Sequence, residues 1–138
     1  MDIIRRNADY ALCLMIHLAE HFGKEAVSTK QMSKQEKISY PLACKLMQKL
    51  QQRKLVTSVM GPKGGFRLNK NPRDINLCEI IEAIQGPMCV NRCLIETFDC
   101  PRESKCPIKS RLHELQDYLK MYLENINLAE LVNARNGQ

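Results

Sequence analysis

Residues 39–68 have the sequence SYPLACKLMQKLQQRKLVTSVMGPKGGFRL. The first part predicts a helix that is capped by Ser39 and has Pro41 in its first turn, where a missing N–H group costs nothing. Its apolar residues recur at helical spacing: Leu42, Leu46, Met47 and Leu50. The second part has two short runs rich in β-forming residues on either side of the glycine-rich segment 61–65. Strand, tight turn and strand predict a β-hairpin.

A short helix before this stretch completes a DNA-binding pattern. It is predicted to begin at Ser28 or Thr29 and to end near Lys37. The helix that follows it carries cations four residues apart on one face: Lys45, Lys49 and Arg53. Two helices joined by a tight turn, the second with a cationic face, are typical of a helix-turn-helix. With the hairpin as its wing, segment 1–75 is predicted to be a winged helix-turn-helix domain, and the fold class to be mainly α with a small β-hairpin wing.

The remainder of the chain predicts a linker and a dimerisation helix. A first helix runs from about Arg6 to His21, and a linker helix from roughly Leu77 to Gln85 forms segment 76–107 together with a cysteine-rich loop. Segment 108–138 has apolar residues at steps of four and three, a heptad seam: Ile108, Leu112, Leu115, Leu119, Tyr122 and Ile126. The seam is too short for a free-standing coiled coil. It favours a long helix that packs on its symmetry mate, then a short C-terminal helix and a frayed tail from Asn133.

The bulk composition favours an acidic partner. The chain has 138 residues, of which 44% are hydrophobic, and a formal net charge of +6. It contains no run of 18 apolar residues, so no membrane segment is expected. The apolar segment from Tyr10 to Ala19 imitates a signal peptide, but it carries His17 and lacks a small-residue cleavage site. We expect a cytoplasmic protein, in which thiols stay reduced.

Cysteines are concentrated in one polar segment. Four of the seven fall within 18 residues: Cys89, Cys93, Cys100 and Cys106. They are separated by three, six and five residues, whereas structural zinc sites pair cysteines at gaps of about two to four. Thiolates are the standard ligands of iron–sulfur clusters, and neighbouring cations favour the thiolate form: Arg92, Arg102 and Lys105. The spacing alone leaves a cluster, zinc and free thiols open.

The other cysteines and the histidines indicate no catalytic site. Cys13, Cys44 and Cys78 lie in helical patterns among apolar neighbours, so we expect small buried hydrophobic residues there. The sequence has no Ser/His/Asp or Cys/His arrangement and no phosphate-binding loop pattern. An enzyme is therefore not expected.

Four pieces of the sequence together resemble one known family. They are the wing LVTSVMGPKGGFRL at 55–68, the segment ADYA at 8–11, the three spaced cysteines and the segment NLAELV at 127–132. The chain resembles the iron–sulfur-dependent winged-helix transcriptional regulators, a family that includes IscR and NsrR. The resemblance implies a homodimer whose two winged-helix heads bind half-sites of a near-palindromic double-stranded DNA operator.

The resemblance also implies a ligand set for a 2Fe–2S or 4Fe–4S cluster. Its cysteine ligands would be Cys93, Cys100 and Cys106. IscR-like members use a His three residues after the last cysteine, where this chain has Lys109. NsrR-like members use an Asp in the first helix of the other subunit, which corresponds here to Asp9. Asp9 is expected as the fourth ligand, and Cys89 is the alternative.

DNA contacts are expected at the start of the second helix of the helix-turn-helix, at Ser39, Tyr40, Pro41 and Lys45. Phosphate contacts are expected from Lys45, Lys49, Lys63 and Arg67. The chain departs from IscR at Met60, where IscR carries a base-reading Arg, and at Cys44, where IscR carries an acidic residue. The operator preferred by IscR is therefore not carried over to this chain.

Taken together, these patterns predict a regulator whose operator affinity is controlled by an iron–sulfur cluster that senses redox state, nitric oxide or iron availability. The alternatives are a thiol-redox regulator and a zinc-containing regulator that use the same cysteines. An iron–sulfur carrier would keep the cluster without a specific DNA site, and the wing and the cationic helix argue against it.

Overall fold

A computed structural model describes residues 2–137. Within that range the chain forms six α-helices and one β-hairpin, with bounds α1 Arg6–Glu20, α2 Thr29–Glu36, α3 Tyr40–Gln52, β1 Val56–Val59, β2 Gly65–Leu68, α4 Leu77–Gln85, α5 Lys109–Glu124 and α6 Leu128–Asn136. Short 3₁₀ turns lie at Pro72–Asp74, Arg92–Leu94 and Glu103–Lys105. The mainly α fold with a hairpin wing is confirmed.

One hydrophobic core joins the N-terminal helices to the C-terminal ones. α1 packs against α4 and α6, and α3 packs against α1 and α4. The inward residues of these helices are at most 8% exposed: Leu14, Met15, Leu18, Leu46, Met47, Leu50, Ile80, Ile81, Ile84 and Leu128. Each large apolar side chain removed from water contributes about 1.5–3 kcal/mol, so this cluster is the main source of stability.

The turn of the helix-turn-helix is set by local hydrogen bonds. The Ser28 hydroxyl accepts a hydrogen bond from the backbone N–H of Gln31 and thereby caps α2. α2 ends at Glu36, and the next residue, Lys37, is its C-cap and adopts the left-handed conformation with φ of 58°. The next residue, Ile38, is buried and its N–H donates to the Ser33 carbonyl at 2.9 Å. These bonds fix the turn between α2 and α3, and so the direction in which α3 begins.

The wing pairs in antiparallel register, with Val56 opposite Leu68 and Val59 opposite Gly65. Val27 pairs with the other edge of β2, where it forms an isolated antiparallel bridge with Phe66. The hairpin is therefore attached to the segment that leads into α2, and not only to the end of α3.

The C-terminal helices differ from the heptad prediction in one respect. Leu123, which lies outside the predicted seam, is the buried residue of α5, and Leu119 packs beside it on the core. The seam residues Leu115 and Tyr122 are 54% and 67% exposed. The predicted seam is thus divided between the core and the surface. A straight α-helix has 3.6 residues per turn, so residues that repeat every 3.5 positions drift gradually around it.

The predicted fraying of the tail is wrong over most of its length. α6 continues from Leu128 to Asn136, and Arg135 near its end makes ion pairs. Gln138 lies outside the described residues. The division of the chain at residues 75 and 107 stays a prediction.

Candidate functional site

The outward face of α3 carries most of the side chains predicted to contact DNA. Ser39, Tyr40, Pro41 and Lys45 are all exposed. Ser39 occupies the N-cap position, but its side chain makes no capping hydrogen bond. The first turn of α3 contains no acidic residue, so the positive end of the helix dipole is uncompensated there. An exposed hydroxyl, a cation and an open helix start together suit contact with phosphate.

Cys44 lies on this same face and is not the buried residue that the sequence suggested. It is half-buried, and a hydrogen bond with its thiol raises the pKa of Tyr40. Gln48, one turn further on, is exposed and was missed as a candidate base-contacting residue. The sequence could have indicated Gln48, because a spacing of four residues from Cys44 places both side chains on one face of the helix.

Lys49 points in another direction. It is half-buried, and its Nζ donates a hydrogen bond to the Ile84 carbonyl oxygen at 3.5 Å, near the end of α4. The structure therefore separates Lys49 from Lys45, although both lie on one helix at a spacing of four residues. Lys49 connects α3 to α4, and its role as a phosphate contact stays a prediction.

The tip of the wing is exposed and cationic. Lys63 and Arg67 are exposed, and the Met60 side chain is 90% exposed. The turn is closed by a hydrogen bond from the Gly64 N–H to the Gly61 carbonyl at 2.9 Å. Gly65 has φ of +152°, and a Cβ atom there would lie 2.1 Å from the Val27 carbonyl oxygen. Only glycine fits this position.

The cysteine loop (residues 88–107) lies between α4 and α5. Buried Met88 anchors its start, and the Val90 N–H donates to Gln116 Oε1 of α5 at 3.1 Å. Cys93, Cys100 and Cys106 are half-buried, whereas Cys89 is exposed. The Cys89 thiol donates to the Asn91 carbonyl at 2.8 Å. All seven cysteines are free thiols.

Lys109, the first residue of α5, is a cation close to the cysteine loop. A hydrogen bond from its ammonium group to Glu103 raises its pKa, and the proximity of Cys93 and Cys100 raises the pKa further. The Cys106 sulfur accepts hydrogen bonds from the backbone N–H groups of Ile108 and Lys109, which lower the pKa of its thiol. Among the three thiols of the loop, Cys106 is therefore stabilised as a thiolate by the start of α5.

The donor chemistry of the loop fits thiolate ligation, but the chain does not bring its ligand-type side chains together. Among residues 2–137, no three His, Cys, Asp or Glu side chains are placed to hold a metal ion. Asp9 is exposed in the first turn of α1.

Nearly the whole chain matches a known family. The family model Rrf2, described as an iron-dependent transcriptional regulator, matches residues 4–134. The chain belongs to the Rrf2 family. This Rrf2 protein is 33% identical over 129 residues to the transcriptional regulator NsrR of Shouchella clausii, with 90% of this chain and 84% of the relative covered.

Solved structures agree with the fold of this Rrf2 protein. IscR of T. potens is 28% identical with a TM-score of 0.75, covering 96% of this chain and 87% of the other. CymR, the global cysteine regulator of B. subtilis, is 25% identical with a TM-score of 0.79, covering 97% and 98%. The family consists of transcriptional regulators, which agrees with the prediction that the protein is not an enzyme. Across residues 2–137, no helix is long and apolar enough to cross a membrane.

Proposed function

We propose that this Rrf2 protein is a homodimeric DNA-binding transcriptional regulator whose operator affinity is controlled by an iron–sulfur cluster. The proposed ligands are Cys93, Cys100 and Cys106, with Asp9 supplied across the dimer. The observation that carries the proposal is the presence of these three half-buried thiols in one loop that is bonded to α5, in a chain that also carries an exposed cationic winged helix.

The winged helix supplies the DNA contacts. Ser39, Tyr40, Pro41 and Lys45 enter the major groove with the start of α3, as helix-turn-helix proteins dock. Lys63 and Arg67 on the wing contact phosphates beside it. For Lys49, the predicted phosphate contact competes with a structural role, which we propose because its Nζ donates a hydrogen bond of 3.5 Å to the Ile84 carbonyl oxygen.

The second subunit covers an apolar strip on α5. Leu115, Tyr118, Met121 and Tyr122 are each more than half exposed and lie within two turns of one helix. Exposed large apolar side chains that are contiguous indicate a protein–protein interface. A symmetric contact through this strip places two winged helices on one DNA duplex, as half-site recognition requires.

A path of direct contacts joins the cysteine loop to α3. Lys49 of α3 is bound to Ile84 in the last turn of α4, and α4 leads through Gly86 and Met88 into the loop. Gln116 holds the loop to α5 through the Val90 N–H. A change in the loop therefore shifts both the dimerisation helix and the end of α4 on which α3 rests. When bound, the cluster would supply an iron centre that reacts with oxidants and nitric oxide.

A thiol switch is the second candidate. It is favoured by the lowered pKa of Cys106 and by the exposure of Cys89, which is free to react. Such a regulator would need no metal and would form a disulfide within the cysteine loop under oxidant.

The deciding measurement is the visible absorption spectrum with iron and sulfide assays on protein purified without oxygen. A brown protein with matching iron and sulfide supports the cluster, and Cys100→Ala should then lose the colour while remaining dimeric. Colourless protein that forms a loop disulfide under oxidant supports the thiol switch. Colourless protein that contains stoichiometric zinc supports the zinc-containing alternative.

The fourth ligand is tested with mixed dimers. Neither Asp9→Ala nor Cys100→Ala homodimers should hold a full cluster complement. If Asp9 acts across the dimer, a heterodimer of the two variants regains one intact site of its two, and about half of the colour. No recovery in the heterodimer would exclude Asp9 as a ligand in trans and direct attention to Cys89.

A further inference from the structure

Arg135, near the end of α6, binds two carboxylates that are distant in sequence. Its Nη1 donates to Glu20 Oε1 of α1 at 3.0 Å, and its Nη2 donates to Glu36 Oε1 of α2 at 2.8 Å. Nη1 also donates to Glu36 Oε2 at 3.3 Å, so the guanidinium holds both oxygens of Glu36. This forked geometry fixes orientation as well as distance.

Glu36 is the buried centre of this group. Its side chain is only 10% exposed, and its Oε2 lies 3.1 Å from Nδ1 of His17, whose side chain is 5% exposed. Because an ionised carboxylate only accepts, we assign the His17 proton to Nδ1. The buried Nε2 of His17 has no partner within residues 2–137. Nearly all of the polar contacts of Glu36 therefore come from Arg135 and His17.

The position of Glu36 in the chain gives this group its importance. Glu36 is the last residue of α2, and α3 begins four residues later at Tyr40. The intervening turn has the left-handed residue Lys37 and buried Ile38. A contact that fixes the end of α2 therefore fixes the point from which α3 starts.

The other end of α6 is bonded to the segment that leads into α4. The Leu128 N–H donates to the Ile75 carbonyl at 2.9 Å, and the Leu77 N–H donates to the Ile126 carbonyl between α5 and α6 at 2.9 Å. α6 thus bridges the start of α4 to the turn of the helix-turn-helix.

We propose that Arg135 is a positioning residue for DNA binding. Its bonds to Glu20 and Glu36 hold the start of α3 in a fixed orientation relative to the α5–α6 unit, and so relative to the second DNA-binding head. The effect on DNA binding rests on the proposed function. The fixed turn between α2 and α3 rests only on contacts within one chain.

The DNA arm of the test uses the duplex that the wild-type dimer enriches from a random library. Arg135→Gln is expected to weaken binding to this duplex by about tenfold. Arg73→Gln is the control for charge, because exposed Arg73 is also a cation outside the proposed DNA face. If Arg135 acts through Glu36, the double variant with Glu36→Gln should bind no more weakly than the worse single variant. Arg135→Lys should recover part of the affinity.

The second arm needs no DNA. Hydrogen exchange in the dimer is expected to quicken more in residues 33–45 of the Arg135→Gln variant than in the wing. An equal increase throughout the chain would reduce Arg135 to a general stabilising residue and overturn the proposal. Unchanged exchange in residues 33–45 would also overturn the proposal. The same holds if the DNA affinity of Arg135→Gln falls no more than that of Arg73→Gln. If the wild-type protein enriches no duplex, the proposed function fails, and the exchange arm still decides whether Arg135 fixes the turn.

Discussion

Val27 and Phe66 exchange two backbone hydrogen bonds, each with an N–O distance of 2.9 Å. This pair ties the outer strand of the wing to the residue that precedes the Ser28 cap of α2. The wing and the helix-turn-helix are therefore held together by backbone bonds that do not depend on side-chain packing. The arrangement requires Gly65 beside Phe66, because the Val27 backbone passes where a side chain would stand.

Gly65→Ala is expected to destabilise the fold by about 2–4 kcal/mol, since it combines an unfavourable φ with a backbone clash. Gly61→Ala is the matched control, with φ of +104° but nothing within 4 Å of the added Cβ atom. It should cost only about 1 kcal/mol of backbone strain. Urea unfolding of both variants measures the difference. Equal losses would show that strain alone, and not the contact with Val27, sets the requirement for glycine.

The wing itself could be predicted from the sequence, but its attachment could not. A glycine-rich turn between two short β-rich runs is a local pattern, so residues 55–68 contain it entirely. The pairing of Val27 with Phe66 joins positions 39 residues apart, and nothing in the composition of segment 24–28 marks it as a strand partner. The contact of Lys49 is long-range in the same way. Its position on one face of α3 could be predicted from the sequence, but its hydrogen bond to the Ile84 carbonyl could not.

The wing cations and Lys49 should differ in the salt dependence of DNA binding. Lys63→Ala and Arg67→Ala are each expected to lower the slope of log affinity against log salt by about 0.9, the release expected for one phosphate contact. Lys49→Ala should leave the slope unchanged, because its ammonium group is bound to Ile84. Titrations at several salt concentrations on one duplex measure the slopes. A reduced slope for Lys49→Ala would restore it to the phosphate contacts.

The apolar strip on α5 should control dimerisation. Tyr118→Glu places a charge in the centre of the strip, where Tyr118 is 69% exposed. We expect it to raise the dimer dissociation constant by about 30-fold or more. His113→Glu is the control, since His113 is exposed on the polar side of α5 beside Asp117. Sedimentation equilibrium of both variants gives the comparison, and a Tyr118→Glu protein that stays dimeric would place the interface elsewhere.

Reactivity of the cysteines should follow their surroundings. Burial, together with a hydrogen bond of 2.9 Å to Glu82, raises the pKa of Cys78 to about 12. Backbone N–H groups lower the pKa of Cys106. In metal-free protein at pH 7.5, iodoacetamide should therefore modify Cys106 at least about 100-fold faster than Cys78. Mass spectrometry of timed samples tests this, and unfolding in guanidinium should make the two rates similar.

The cysteine loop shows the limit of sequence reasoning at the site. The density of thiols and the basic residues around them could be recognised from composition. Neither the bond of Lys109 to Glu103 nor the helix start beneath Cys106 could be predicted, because both depend on the residue at which α5 begins. The heptad pattern placed that start one residue early and assigned Ile108 to the interior of the seam.

The Arg135 group should also make stability depend on pH. Burial alone would raise the pKa of the Glu36 carboxyl, but hydrogen bonds from Arg135 and His17 outweigh burial and hold the pKa below its ordinary value of 4.5. A carboxyl whose pKa is lowered by folding stabilises the protein above its unfolded pKa, and the contribution is lost as pH falls through the folded pKa. Wild type should therefore exceed Arg135→Gln by about 1–2 kcal/mol near pH 7.

This difference should shrink below pH 4.5 as Glu36 becomes protonated in the folded protein. Urea unfolding at pH 7, 5, 4 and 3, at one fixed protein concentration, measures it. Arg111→Gln is the control, because Arg111 pairs with Glu114 on the surface with both side chains more than 60% exposed, and such pairs contribute little. A difference between wild type and Arg135→Gln that stays constant down to pH 3 would mean that Arg135 stabilises the protein through packing of its side chain and not through the ionised Glu36 carboxylate.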